Sequence, residues 1–183
     1  ITAFISDDPT TGTVGGLDRA LVPAWRNHAA VGANKIIASK TNQTLTKFLR
    51  AEVRQLTRFG GKPNLIFCGS AALAKLEEEV FEKGIYTQSG FMNGGSTELG
   101  MADISMRGVG KFVYDPTLDT LGKSDYIYFI DESNLKLYVM DGEDKKTHNP
   151  ARPHDQYVIY RAMTWTGGMT ATQLNGSAVY QVG

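Results

Sequence analysis

The sequence predicts an α+β fold: a mixed sheet flanked by helices, with a β-rich remainder. Three observations predict it. Residues 44–59 and 71–83 carry apolar side chains at helical spacing. Residues 64–68, between them, form an apolar run too short for a helix, which reads as a fully buried strand. From residue 104 onward, short runs rich in Val, Ile, Tyr and Phe alternate with turn residues. Two one-sided helices around a buried strand need a sheet to pack on, and the rest of the chain must supply it.

In chain order, the first forty residues carry little helix signal. Asp7, Asp8, Pro9 and Gly12 are turn chemistry, and residues 14–28 read as an ordered loop pinned by Trp25, whose indole N–H needs a partner. Residues 35–38 fit a short strand. The first helix presents Leu45, Phe48, Leu49, Val53, Leu56 and Phe59 on one face, with Thr44 as N-cap and Gly60 and Gly61 as its stop. The second, capped by Ser70 and ended by Gly84, turns Leu73, Leu76, Val80 and Phe81 inward and Lys75, Glu77, Glu78 and Glu79 outward. Residues 85–100 are a long Gly/Ser/Asn loop, of a length (about 15 residues) that usually has a function. Strands are expected at 104–106, 111–114, 125–130 and 135–140, the last two joined by a hairpin turn at 131–134. A polar loop, 141–154, precedes strand-like stretches at 156–166 and 169–182, with Gly167-Gly168 and Asn175-Gly176 as interruptions. Leu49 is expected in the core and the strands at 64–68, 111–114 and 125–130 in one sheet.

Bulk properties narrow the function. A chain of 183 residues can bury a good core. Lys plus Arg equals Asp plus Glu at 19 each, which gives no overall field for a polyanion or an anionic membrane. One cysteine excludes an internal disulfide and a multi-cysteine metal cage. No run approaches the roughly 18 apolar residues of a membrane span, and no period of about 20–50 residues repeats.

The candidate chemistry is thin. Gly122-Lys123-Ser124 matches the tail of a phosphate-binding loop, but Thr117 stands where its first glycine belongs and a strand follows instead of a helix, so it reads as a solvated turn. Cys68-Gly69-Ser70 lies at a strand-to-helix turn, where a nucleophile could sit, yet Cys68 and Ala72 occupy the glycine positions of a nucleophile elbow. Cys68 reads as core and Ser70 as a cap. His148 and His154 with Asp144 and Asp155 match no zinc spacing, and Asp141 to Asp144 lacks the ligand ladder of a calcium loop. Trp165, Tyr157 and Tyr160 read as sheet packing. No catalytic residue, metal site or cofactor is predicted.

Three stretches carry a family resemblance. Gly15, Gly16, Asp18 and Arg19, followed by Trp25, Arg26 and Asn27, resemble the Gly-Gly-Ile-Asp-Arg and Trp-Arg-Asn signature of a group of tailed-phage and prophage major capsid proteins with the HK97 fold. Residues 63–79 resemble the strand and helix of that fold's axial domain, and residues 161–182 the closing strands of its peripheral domain. The resemblance implies a structural subunit of an icosahedral phage head, not an enzyme. It implies self-assembly into pentamers and hexamers that enclose DNA without sequence specificity, assembly in the bacterial cytoplasm, and no membrane. It divides the chain into a peripheral portion (1–33), an axial domain (34–144) and a return to peripheral strands (145–183). Phe91, Met92, Asn93, Gly94 and Gly95 become the expected axial tip. The family's N-terminal arm, extended loop and spine helix are not visible. With Ile1 at its head, the chain is therefore expected to be the C-terminal portion of a subunit, monomeric or in weak small rings when dilute. Covalent cross-linking is not predicted, because no Glu occurs from Gln156 onward. Two alternatives stand beside this reading: an encapsulin-like shell for enzyme cargo, and a small α/β enzyme using Cys68.

Overall fold

The computed structural model describes residues 4–39, 41–82, 104–106, 108–149 and 161–183. In chain order the elements are β1 (Thr13–Val14), β2 (Leu17–Asp18), β3 (His28–Ala30), α1 (Thr44–Leu56), β4 (Leu65–Cys68) and α2 (Ser70–Glu82). They continue with β5 (Ser105–Met106), β6 (Gly110–Tyr114), α3 (Pro116–Thr120), β7 (Tyr126–Ile130), β8 (Leu135–Val139), β9 (Lys146–His148), β10 (Ala162–Thr164), β11 (Gly167–Ala171) and β12 (Ala178–Gln181).

The core is a six-stranded mixed sheet in the order β3-β12-β7-β4-β6-β5. β4 runs parallel to β6 and antiparallel to β7, and β12 runs antiparallel to β7 and parallel to β3. The three strands expected to share a sheet do so, as β4, β6 and β7. Strands from all three expected segments, 1–33, 34–144 and 145–183, join this sheet.

Both faces of the sheet are covered, as a continuous apolar strand requires. On one face Ile66, Cys68, Ile127, Phe129 and Tyr180 pack against Leu45, Leu49 and Leu56 of α1 and Ala72 and Leu76 of α2. Tyr180 anchors an aromatic cluster there, with ring centroids 5.3 Å from Phe48 and 5.7 Å from Phe129. On the other face Tyr128, Ile130 and Val179 meet Ile5 from the N-terminal segment and Leu118 from α3. Alternation along β7 divides its residues between the two layers.

Both helices lie where periodicity places them, but their ends are built differently from the local caps expected. Thr44 is not the N-cap of α1. That position is Gln43, in a left-handed conformation with no side-chain cap, and the Thr44 hydroxyl instead donates to the Ile37 carbonyl. The cap comes from α2: one oxygen of Glu79 accepts from the Ser39 and Leu45 amides, each at 3.1 Å, and the other from the Thr46 amide and hydroxyl, each at 3.0 Å. Glu79, expected outward, is therefore buried at 1% exposure. Ser70 is not a cap either. Its amide donates to Asp119 Oδ1 at 3.0 Å, and the Ala72 amide donates to the Ser124 carbonyl at 3.0 Å, so the start of α2 is held by the segment after β6. Gly69 permits this approach: a Cβ there would lie 2.4 Å from the Ser124 carbonyl oxygen.

Other expectations change in the structure. Phe59 is exposed, because α1 gives way after Leu56 to a tighter turn over Thr57–Phe59 that rotates the ring out of the apolar stripe. The Arg58 guanidinium lies 5.6 Å above that ring. Residues 35–38 contribute one bridge, Ile36 to Val182, and no longer strand. The polar loop at 141–154 contains β9, and Gly167 and Gly168 lie inside β11. The segment 131–134 does not close a hairpin: β7 pairs with β4 and β12, whereas β8 pairs with β11. Buried Asp131 causes the departure. Its carboxylate accepts from the Lys62 and Ser133 amides and from the Asn134 side chain, and this wraps the chain into a turn that leaves the sheet. The side chain of Phe81 lies outside the described residues.

Candidate functional site

The signature residues form one polar knot against the sheet. Gly15 and Gly16 are the two loop residues of the β1–β2 hairpin, with φ of +58° and +83°. Two successive positive φ values define the two-residue turn that matches strand twist, and glycine adopts them at low cost. The hairpin returns the chain through Asp18, whose carboxylate accepts from the Ala20 amide at 2.8 Å, to Arg19.

Arg19 is 2% exposed and Asn27 equally buried. The Arg19 guanidinium donates to Asn27 Oδ1 at 3.1 Å and to the Phe4 carbonyl at 2.7 Å. Asn27 accepts from the Ser6 amide and donates to the Ser6 carbonyl. Arg26 closes the loop by donating to the Arg19 and Ala20 carbonyls at 2.6 and 2.9 Å. The planar fork of Arg19 and the amide of Asn27 thus supply the pairing that burial demands. Trp25 Nε1 finds its partner in the Thr172 carbonyl, 3.2 Å away and far along the chain. The knot positions the N-terminal segment and touches the other end of the sequence.

The remaining sequence candidates fall apart as reactive groups. Cys68 is fully buried, its thiol lies 3.4 Å from the Val113 carbonyl, and burial pushes its pKa up to about 11. It presents no thiolate near neutral pH. Lys123 is not in a solvated turn. It pairs with Asp7 at 2.8 Å, donates to the Tyr128 hydroxyl at 3.1 Å and lies 4.8 Å above the Tyr126 ring. Partial burial pulls its pKa down, but the bonds to Asp7 and Tyr128 outweigh this, so the net direction is up. His148 is exposed and lies 2.8 Å from the Thr164 hydroxyl. Phe91, Met92, Asn93, Gly94 and Gly95, and likewise His154, Asp155, Tyr157 and Tyr160, lie outside the described residues.

Sequence reasoning missed an arm. β7 and β12 are neighbours in the sheet, but the chain between them makes a long excursion. It goes out through β8 and β9 and returns through β10 and β11, with β8 pairing β11 and β9 pairing β10. Between the two pairings the outgoing strand turns away over residues 141–145, and the Met140 amide donates to the Thr166 carbonyl and the Thr166 amide to the Glu143 carbonyl across the interruption. The arm is rooted by Asp131, by a hydrogen bond from the Thr172 amide to the Asn134 carbonyl, and by Trp25.

Register sorts the arm's faces. Directly opposite residues share a face, so Leu135/Ala171, Leu137/Met169 and Val139/Gly167 lie on one side and Lys136/Thr170 and Tyr138/Gly168 on the other. Trp165 extends the first side. Its ring covers Gly167, where a Cβ would lie 2.6 Å from Cζ2. Leu135 is packed against the core, but Leu137 is 63% exposed, Trp165 47%, Met169 42% and Val139 37%. Tyr138, Met140 and Met163 are exposed as well. Trp165, expected in sheet packing, instead lies on this open ribbon. The available signal was the alternation of Leu135, Leu137 and Val139 with no matching strand beside it.

Comparison with known proteins gives a fold likeness. The structure resembles a chain of the cyanophage A-1(L) capsid asymmetric unit, with a TM-score of 0.60 at 15% sequence identity. The alignment covers 93% of this chain and 55% of that one, so this chain spans about half the length of its structural neighbour. The fold is that of a phage capsid protein chain. No family model matches the sequence, and no curated protein matches it.

Proposed function

We propose that this chain is the structural part of an HK97-like major capsid protein, a shell subunit of an icosahedral phage head. The observation that carries the proposal is the fold likeness to a cyanophage capsid chain over 93% of the residues. Three features support it. The signature residues are used for architecture: Arg19, Asn27, Arg26 and Trp25 tie the N-terminal segment to the sheet and to the root of the arm. The one cysteine is an inert core thiol, which weakens an enzyme built on it. The arm exposes apolar surface that a shell interior or interface would cover.

In this reading the helix-covered strands β4 to β7 belong to the axial part, and the segments assigned to the peripheral part, 1–33 and 145–183, complete the same sheet through β3 and β12. The expected axial tip, residues 91–95, lies outside the described residues. Copies of the subunit build pentamers and hexamers, the shell encloses DNA through no sequence-specific contact, and assembly takes place in the host cytoplasm. Among the described residues no helix is long and apolar enough to cross a membrane.

Sedimentation velocity with negative-stain microscopy tests the proposal on this chain. Closed shells need unlike patches that repeat around each axis. The expected result is a monomer at low concentration, with weak rings as concentration rises. A tight two-fold dimer points to an ordinary soluble dimer and contradicts the proposal.

A further inference from the structure

We infer that the outer face of α1 is a contact surface for the phosphate backbone of duplex DNA, made by Lys47, Arg50, Arg54 and Arg58. The inference rests on the shell-subunit reading and names the side chains through which the subunit meets the DNA that the shell encloses. The chain as a whole balances 19 cationic against 19 acidic residues, so any attraction for a polyanion has to be local.

The stripe follows from helical geometry. At 3.6 residues per turn, Lys47, Arg50 and Arg54 fall within a sector of about 60°. They stand opposite Leu45, Leu49 and Leu56, which enter the core. Arg58 extends the line through the tighter turn after the helix, its guanidinium 5.6 Å above the Phe59 ring. All four are exposed. Residues 41–62 hold five cations and one carboxylate. That carboxylate, Glu52, lies on the sheet side of α1, where it accepts from the Tyr180 hydroxyl at 3.0 Å and stands 3.9 Å from His28 Nδ1. Among the described residues no carboxylate lies within ion-pair distance of Lys47, Arg50, Arg54 or Arg58. Helix stability does not account for the pattern. Lys47 stands in the first turn, where the helix dipole favours carboxylates, and that turn has no acidic residue. The pairs Lys47/Arg50, Arg50/Arg54 and Arg54/Arg58 are like charges at spacings of three and four, which repel.

Spacing and composition select the partner. The separation of Lys47 and Arg58 corresponds to roughly 16 Å at the helical rise. B-DNA carries one charge per about 1.7 Å of axis, so the same length holds about ten phosphates, about five on each strand. Four cations in line match one strand. Protein interfaces are centred on apolar and aromatic anchors and are poor in lysine. Between its cations this face offers Ala51 and Gln55 and no large apolar side chain. A helix lying on a membrane needs an apolar face free for lipid, and the apolar face of α1 is turned into the core. Cationic side chains on a rigid helix, with no apolar anchor among them, suit a solvated polyphosphate backbone, and such contacts carry no sequence information.

The test follows the fluorescence anisotropy of short labelled DNA duplexes of two unrelated sequences, titrated with the 183-residue chain up to about 0.5 mM at several salt concentrations. The expected result is equal binding to both sequences. Log K should fall against log[salt] with a slope of about −3.6, about 0.9 for each of four contacts, or roughly a hundredfold between 50 and 200 mM salt. In Arg50→Gln/Arg54→Gln the slope should shrink to about −1.8 and the low-salt affinity should drop about tenfold or more. Lys136→Gln/Lys145→Gln removes the same charge from another exposed site and should leave both unchanged. Arg50→Lys/Arg54→Lys should bind as the parent does, because this contact needs charge at each position. Equal loss in Lys136→Gln/Lys145→Gln overturns the inference, since the attraction then belongs to the whole molecule. Loss in Arg50→Lys/Arg54→Lys overturns it, and so does a preference for one duplex sequence. Polyglutamate bound as tightly as the duplex overturns it in favour of an acidic protein segment. A chain that binds no duplex at low salt overturns it while leaving the shell reading intact, because that reading is decided by the composition of particles.

Discussion

Glu79→Ala should be among the most damaging single changes outside the apolar core. The carboxylate is 1% exposed and accepts from three backbone amides and one hydroxyl at the start of α1. Truncation leaves the buried Leu45 amide without its acceptor, which costs about 2–3 kcal/mol for a donor that had paired with a charged group. The Ser39 and Thr46 amides are half-buried and can recruit water, so about 0.5–1 kcal/mol each is reasonable. The total is about 3–5 kcal/mol, a large share of the ~5–15 kcal/mol that holds a domain. With a urea m-value near 2–3 kcal/mol/M, the midpoint should fall by about 1.5 M. Glu79→Gln keeps one good acceptor and turns an amide group toward the remaining donors, so about half that loss is expected. The assay is urea unfolding followed by far-UV circular dichroism. A midpoint that moves by less than about 0.3 M in Glu79→Ala, with m unchanged, would refute the idea that α2 caps α1.

Leu49→Asp puts an unpaired charge at a fully buried position and should cost several kcal/mol, read as a fall of about 10 °C or more in the thermal melt. Arg19→Ala strips the buried Asn27 Oδ1 and the Phe4 carbonyl of their donor, with a loss of about 2–4 kcal/mol. Hydrogen exchange at the Ser6 amide should accelerate with it, and unchanged protection there would separate Arg19 from the N-terminal segment. Native Cys68 should react with a thiol reagent only as the protein opens, so labelling is slow in buffer and fast in denaturant. Its folded pKa of about 11 lies above the reference 9.0, so between those values the unfolded chain loses a proton that the folded chain keeps. Stability should therefore fall as pH rises from about 9 to 11, and fall less steeply in Cys68→Ala; equal slopes would remove Cys68 from the account.

The parts legible in the sequence were those governed by local periodicity. Leu45, Leu49 and Leu56 recur on one face, so α1 was readable, and the apolar run ending at Cys68 could only be a buried strand. Gly15 and Gly16 read only as part of an ordered loop, whereas the structure makes them the turn of a short hairpin. The parts that were not legible depend on partners distant in the chain. Glu79 stands in a run of glutamates that reads as a solvated face, yet it falls three residues after Leu76 and seven after Ala72, on the buried side of the helix. Its partners, Leu45 and Thr46, lie on another helix. The hairpin expected at 131–134 failed for a similar reason: Asp131 uses its carboxylate on Lys62, a contact no local pattern encodes. β8 was readable as a strand, but its partner, β11, lies beyond β9 and β10, and Gly167-Gly168 masked it as a break. The exposed apolar stripe was hidden with that pairing, since Leu137 and Met169 form it only once the register brings them opposite each other.

Cryo-electron microscopy of native particles that contain this chain tests the central proposal most directly. The account predicts a closed shell in which the six-stranded sheet, with α1 and α2 on one face, repeats around five-fold and six-fold positions. A shell wall made of some other fold, with this chain absent or present only as a minor internal component, would contradict it.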